Sequence, residues 1–551
     1  VNPTRARRSL LAAGLGLLIV AGMVAERLAV LARAAPSDFD DAYMYLRYVG
    51  NLLDGHGLAW NPGEGSVFGV TSLLHLAVLA KLRWCLAGLG AAGLLRVASG
   101  SAAVALVFAL AGMLAVHARH PRLRGNWIFW LAVILPVVAY REAFVFHAST
   151  GMDTMLSALA NAFVVCAALR LAESPKLSTV LAAALVSVLA VLARPDNLLC
   201  ALFCPALALG LLAPPPRRKR LAVFLGLAVG GVAIVAAVEW LGLGSPVPLS
   251  FFAKQPWYYG GFAGEFTWNP FLFLKVFCYS AWPFLVALIL FADRAGWRRA
   301  AVLLAPALAS MAVFFRFNQI MGHLGRFYYP FLPFFVGAGA LEFDAWLARG
   351  RTLHPKTVQR RVLFAAALLL AGSLALALAA RAYEARAQAH KLVPFPGGFQ
   401  VRAQAPLPDI DSWQAAQAIA AIAVAAPRGA SFATSEHGLP SALAPQVTFI
   451  DVLGLHDPYF ARYGFSAEDL FRRRPDFIWL PHEDHTQMLH DILTSDAFWS
   501  DYVFYPDAFF HGIALRREGA NYERLVALVS AQWQGVYPGF TMSDYEAVRG
   551  E

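Results

Sequence analysis

The sequence predicts a polytopic α-helical membrane protein with a small C-terminal α/β domain, and three observations predict it. Of 551 residues, 59% are hydrophobic and only 15% charged, a balance that ordinary water-soluble domains do not show. Apolar runs long enough to cross a bilayer recur up to about residue 381, with the basic residues gathered in short clusters between them. Beyond residue 383 the pattern changes to short apolar strands separated by charge-rich helical segments. The net charge of +10 does not imply a nucleic-acid partner, because the basic residues form no continuous face and follow the positive-inside pattern.

Taken in order, Arg5, Arg7 and Arg8 precede an apolar run from Leu10 to about Ala32. That run is longer than the core of a signal peptide and reads as an uncleaved first span. Thr71 to Trp84 is apolar but too short to cross, and fits an interfacial or re-entrant segment. Further spans at about 88–116, 126–146, 154–172, 178–193, 197–213, 221–243, 271–291, 300–318, 327–346 and 362–381 bring the set to about 11. The basic clusters are Arg119, Arg122 and Arg124, then Arg217, Arg218, Lys219 and Arg220, then Arg294, Arg298 and Arg299, then Arg349, Arg351, Lys356, Arg360 and Arg361. Putting all of them in the cytoplasm gives one unbroken alternation, with the N-terminus inside and the C-terminal domain outside. Lys81 and Arg83 then fall outside, against the rule.

The chain divides into a membrane domain at 1–382 and an outer α/β domain at 383–551. Val393 to Pro408, with four prolines and two glycines, reads as the connection. Strands are expected at Ala430 to Thr434, Val447 to Val452 and Phe477 to Leu480, and a helix at Ala467 to Arg474. All five cysteines lie in or beside apolar runs and none follows Cys278, so the outer domain carries neither a disulfide nor a thiolate metal site.

The stretch from Ser37 to Asn51 packs Asp38, Asp40 and Asp41 into four positions. On a helix starting near Asp40, the residues Asp40, Tyr43 or Met44, Arg47 and Asn51 share one face. Acids also suit a plain helix start, through the N-terminal dipole. In the alternation above, other unusual polar residues fall on the same outer side. They are Asn61 in the first loop, His147 and Asp153 in the second, Arg194 and Asp196 in the third, Lys254 in the fourth, and His323 and Arg326 in the fifth. Ionisable residues near membrane depth are costly and mark substrate sites.

Each has a plainer reading. Arg194 and Asp196 could form a helix-end ion pair. His147 and His323 could be hydrogen-bonded helix-end residues, since no metal-ligand spacing accompanies them. Lys254 could be a snorkelling lysine in an aromatic belt of Phe251, Phe252, Trp257, Tyr258 and Tyr259. Their gathering on one side favours a single site. A carboxylate there can take a hydroxyl proton, and Lys254, Arg326 and Arg194 can meet a lipid phosphate. No metal ligand and no cofactor are assigned. A divalent cation beside the paired aspartates stays open, without a third clustered ligand to support it.

The pattern Asp40-Asp41-Ala42-Tyr43, Arg47-Tyr48, Asn51, Gly55, Gly57, Asn61-Pro62-Gly63-Glu64, then Gly69, Thr71-Ser72 and Leu74, resembles the first outer loop of bacterial GT-C-fold glycosyltransferases. Within that class it is similar to the arabinofuranosyltransferases of the mycobacterial terminal type, which use decaprenylphosphoryl arabinose. Ser149 to Thr154, Ala193 to Asp196, Pro246 to Lys254, Gly325 to Pro333 and Asp451 to Asp457 resemble further motifs of that group.

The resemblance implies a polyprenyl-phosphate sugar donor and a glycan, lipid or protein acceptor. It implies a multi-pass chain of the bacterial inner (cytoplasmic) membrane, with its active site on the periplasmic side. Asp40 maps to the catalytic base, with Asp41 next. Tyr43, Arg47, Asn51, Asn61, His147, Asp153, Arg194, Lys254, His323 and Arg326 are the expected substrate-binding set. Where relatives carry an aromatic in the next stretch, this chain reads Gly69-Val70-Thr71-Ser72-Leu73-Leu74, so arabinofuranose is a lean. Inversion and retention at the anomeric carbon stay open. The alternative is a transporter or flippase, which would show midplane charges and paired halves. A membrane-anchored glycan-binding protein would need fewer spans.

Overall fold

The computed structural model describes residues 3–33, 38–215, 217–255, 269–350, 355–390, 399–482 and 484–549. Ser37, Trp257, Tyr258, Tyr259, Arg351, the 393–398 part of the connection and the side chains of Arg5, Arg7 and Arg8 lie outside the described residues. Among the described residues, eight helices are long and apolar enough to cross a membrane. They are Ala91–His117, Thr154–Glu173, Pro195–Leu212, Arg217–Leu243, Pro270–Phe291, Arg294–Arg316, His323–Ala348 and Gln359–Arg386. The expected first span lies within the helix Pro3–Arg33. The span expected at 178–193 is the helix Leu177–Ala193, whose 17 residues reach about 25 Å.

The span expected at 126–146 is not straight. Trp127–Ala139 and Glu142–Ser149 meet at 84°. Pro136 has no N–H to give the helix, and Leu135–Ala139 widens into a π turn. The turn closes through Tyr140 N–H to the Leu135 carbonyl at 3.1 Å, and Arg141 continues extended. Thr71 to Trp84 resolves into the helix Leu73–Cys85, capped where the Ser72 side chain accepts from His75 N–H. Its 13 residues are too few to cross. Within the bundle, the Asn161 amide donates to Asn197 at 2.8 Å and to the Pro330 carbonyl at 2.9 Å, tying three helices where the chain breaks at Pro195.

The C-terminal domain is a sheet between helices. A two-stranded ribbon pairs β1 (Phe399–Gln400) antiparallel with β7 (Val548–Arg549). The main sheet contains β2 (Ser431–Thr434), β3 (Thr448–Asp451), β4 (Phe477–Trp479), β5 (Tyr502–Tyr505) and β6 (Ile513–Arg516), in the order β3-β2-β4-β6-β5. β2 runs parallel to β3 and β4, and β6 antiparallel to β4 and β5. Three strands fall where the apolar runs predict them, and β5 and β6 are additions.

The first loop folds as the helix Asp40–Leu53 and packs against the C-terminal domain's short helix Gly438–Leu443. The approach is so close that a Cβ on Gly438 would overlap the Asp40 carbonyl, so only glycine fits. Tyr43, Tyr48 and Trp60 of the loop share one apolar core with Phe449 and Trp479 of the sheet.

Candidate functional site

Two faces of the helix Asp40–Leu53 do different work. Arg47, 2% exposed, donates to the carbonyls of Trp60, Ser441, Ala444 and Val447 and to Asn61 Oδ1, all at 2.8–3.0 Å. Asn61 in turn donates to the Phe449 carbonyl and accepts from its N–H, each at 2.9 Å. Asn51 donates to the carbonyls of Ala59 and Trp60. Tyr43 packs its ring 5.7 Å from that of Trp413.

Asp40 belongs to this face too. Its two oxygens accept N–H bonds from Gly438 and Leu439, each at 2.7 Å, at the start of the helix Gly438–Leu443. Of the residues expected at the substrate, Asp40, Arg47 and Asn61 instead join the first loop to the C-terminal domain, Tyr43 packs on that domain's Trp413, and Asn51 ties the first loop to itself. Backbone groups that would otherwise be buried unpaired draw these polar side chains inward.

Asp41 is one residue further and about 100° around the helix, and it points elsewhere. It accepts from Arg326 Nη1 at 2.9 Å and, with Lys254, lines a small open cleft of about 50 Å³. Tyr45, Thr71, Ser250 and His456 contribute polar atoms to the same cleft, and Met44, Val70, Met152 and Leu455 its apolar surface. Burial works to raise the Asp41 carboxyl, but Arg326 and Lys254 together hold it below the ordinary carboxylate value. Burial pushes the Lys254 ammonium down to about 8, with Asp41 opposing.

Behind the cleft, buried Asp153 accepts from Tyr45 at 3.1 Å, Thr71 at 3.0 Å and Arg194 at 3.3 Å. Arg194 also forks onto Asp196, with Nη2 at 2.9 Å. Arg194, Lys254 and Arg326, which come from three separate loops, all lie within 6 Å of the Phe327 ring centroid, at 5.9, 5.7 and 5.7 Å. The loop ahead of Arg326 is strained, with Met321 at φ 60° and Leu324 at φ 49°. His147, fully buried, holds it by donating from Nε2 to the Leu324 carbonyl at 3.2 Å. His323 sits with its ring 6.2 Å from Phe39 and 6.5 Å from Phe146.

Of the residues expected at the site, Asp41, Asp153, Arg194, Lys254 and Arg326 come together, and His147 and His323 set the loop that carries Arg326. Asp40 and Asp41 take different partners, the one the N–H groups of Gly438 and Leu439 and the other Arg326. Sequence reasoning missed Tyr45, His456 and Glu436. Glu436 follows β2, where burial and then the nearby Asp40 push its carboxyl up to about 8. The Gly69-x-Thr71-Ser72 signal is explained by contact. Thr71 binds Asp153, and a Cβ at Gly69 would overlap Tyr48 and His456.

The fold and the cleft together define a polytopic helical membrane protein with a cation-lined pocket where the helical body meets a C-terminal α/β domain. No protein-family model matches the sequence, and no curated protein does. Solved structures to which the chain is similar include that of ArnT from Cupriavidus metallidurans bound to undecaprenyl phosphate, at 13% identity and TM-score 0.44, over 90% of this chain and 97% of that one. Another is the archaeal oligosaccharyltransferase AglB from Archaeoglobus fulgidus, in complex with an inhibitory peptide and a dolichol-phosphate, at 13% identity and TM-score 0.46, over 91% of this chain and 74% of that one.

Proposed function

We propose that this chain is a GT-C-type membrane glycosyltransferase that moves a sugar, arabinofuranose in our reading, from a polyprenyl-phosphate donor to an acceptor hydroxyl outside the bacterial inner membrane. The observation that carries the reading is the cleft lined by Asp41, Arg326 and Lys254, with Asp41 paired to Arg326 at 2.9 Å. Lys254 and Arg326 receive the donor phosphate. An anionic phosphate competes with Asp41 for both cations, and each cation drawn away lets the Asp41 carboxyl rise toward the range of a working base. Asp41 then takes the acceptor's proton as the new bond forms from the acceptor oxygen to the anomeric carbon. The bond from that carbon to the phosphate oxygen breaks, and the polyprenyl phosphate leaves with the electron pair. Asp153, fixed by Tyr45, Thr71 and Arg194, positions the cationic wall.

The test uses the full chain in lipid nanodiscs, given radiolabelled decaprenylphosphoryl arabinose and, separately, a labelled polyprenyl-phosphate hexose, with envelope glycan as acceptor. Label should pass from the pentose lipid to the glycan and stay on the lipid with Asp41→Asn. Label moving across sealed vesicles while remaining lipid-linked would instead identify a flippase. Transfer from the hexose donor alone would keep the enzyme and replace the sugar.

A further inference from the structure

β2 and β3 run parallel in register, with Thr434 opposite Asp451, so their carboxyl ends open into one crevice. His437 follows β2, Asp451 ends β3, and His456 lies in the loop beyond it. One donor atom from each of the three falls within 4.8 Å of the other two, and none of the residues is more than 2% exposed. Asp451 is held by N–H bonds from Leu453 at 2.8 Å and His456 at 2.6 Å. His456 is held by the Trp60 ring stacked at 4.0 Å and by the Tyr48 hydroxyl 3.0 Å from its Nδ1, and its Nε2 stands 3.0 Å from Met44 Sδ, which must give way or join the ligands for that nitrogen to bind an ion.

His437 is the anomaly. It is wholly buried, yet among the described residues neither ring nitrogen has a hydrogen-bond partner, and Asp451 Oδ1 stands 3.8 Å from its Nδ1, beyond hydrogen-bond reach. A buried imidazole left bare on both nitrogens is costly, unless something not made of protein sits between it and its neighbours.

We propose that His437, Asp451 and His456 bind a divalent transition metal of the zinc class, which locks the outer sheet's carboxyl edge onto the first loop. Two imidazoles and one carboxylate are the donor set zinc accepts, whereas calcium and magnesium take oxygen-only shells. Tetrahedral zinc spaces its ligand atoms about 3.4 Å apart, so side-chain movements of about 1 Å close the site. His456 also lines the Asp41 cleft, so the ion would sit next to that pocket. The proposal stands whether or not the chain transfers sugar.

The test measures metal by mass spectrometry on the full-length protein in detergent, as isolated and after incubation with zinc alone and desalting. About one zinc per chain is expected, falling at least tenfold in His437→Gln and Asp451→Asn. Thermal unfolding of the wild-type chain should drop on chelation and recover with zinc. A wild-type chain that takes up no stoichiometric zinc would overturn the proposal, and so would variants that keep the full content. Should a variant fail to fold, chelation and reloading of the wild-type protein decide alone.

Discussion

Asp40 and Asp41 are neighbours of identical chemistry, and the sequence offers no means of choosing between them. One step along a helix turns the side chain by about 100°, and what each meets lies some 400 and 285 residues away. Asp40 meets two backbone N–H groups and Asp41 meets Arg326. Asp41→Asn should therefore lower kcat/KM by at least ~10²-fold, the range expected for loss of a general base, in protein that still folds and is compared at equal folded fraction. Asp40→Asn should do the reverse. An amide cannot accept both N–H bonds, so it should lose about 1–3 kcal/mol of stability, and residual activity should track the folded fraction. Paired transfer and unfolding measurements check both, and a stable, inactive Asp40→Asn protein would return the base to Asp40.

The same scale sets a pH dependence. The free Lys254 ammonium, pushed down to about 8 by burial, is charged below that value and neutral above it. Affinity for an anionic donor is thus fully present at neutral pH and lost as pH rises through about 8. kcat/KM for the donor should show that alkaline limb, and Lys254→Arg should move it out of range, since a guanidinium stays charged.

Among elements, the junction between the first-loop helix and the outer domain is what the sequence motif encodes. Arg47, Asn51, Asn61, Gly69 and Ser72 read as a binding pattern on the chain, and the structure spends them on carbonyls, a close approach and a helix cap. Their polar character was legible, but their partners, up to 400 residues away, were not. Arg47→Met should leave several buried carbonyls unpaired and cost about 3–5 kcal/mol, loosening the outer domain before the membrane helices. Limited proteolysis should then cut within 399–549 faster than in the wild-type chain, and an unchanged cleavage rate would refute the junction. Several elements the sequence did not reveal were short or bent, although the helices Ser412–Ala425 and Tyr522–Val536 are neither. β5 and β6 have four residues each, too few for a pattern, and the helix break at Tyr140 follows a proline in an otherwise uniform apolar run.

For the whole molecule, apolar length and basic clustering made the helical body legible, since crossing a bilayer leaves the chain few alternatives. The folding of the C-terminal domain back onto the first loop was not legible, because long-range pairing leaves no local trace. It does fix a consequence, since the outer domain, the first loop and the cleft must all lie on one side of the membrane. The positive-inside rule puts Arg217, Arg218, Lys219 and Arg220 on the other. A cysteine at exposed Glu518 should therefore react with a membrane-impermeant maleimide in intact cells. One at exposed Arg218 should react only after permeabilisation. The background needs Cys85→Ser, because Cys85 is itself exposed. Labelling of position 218 alone in intact cells would turn the cleft toward the cytosol. Donor and acceptor would then have to be sought there, and transfer at the outer face would be excluded whatever the chemistry of Asp41.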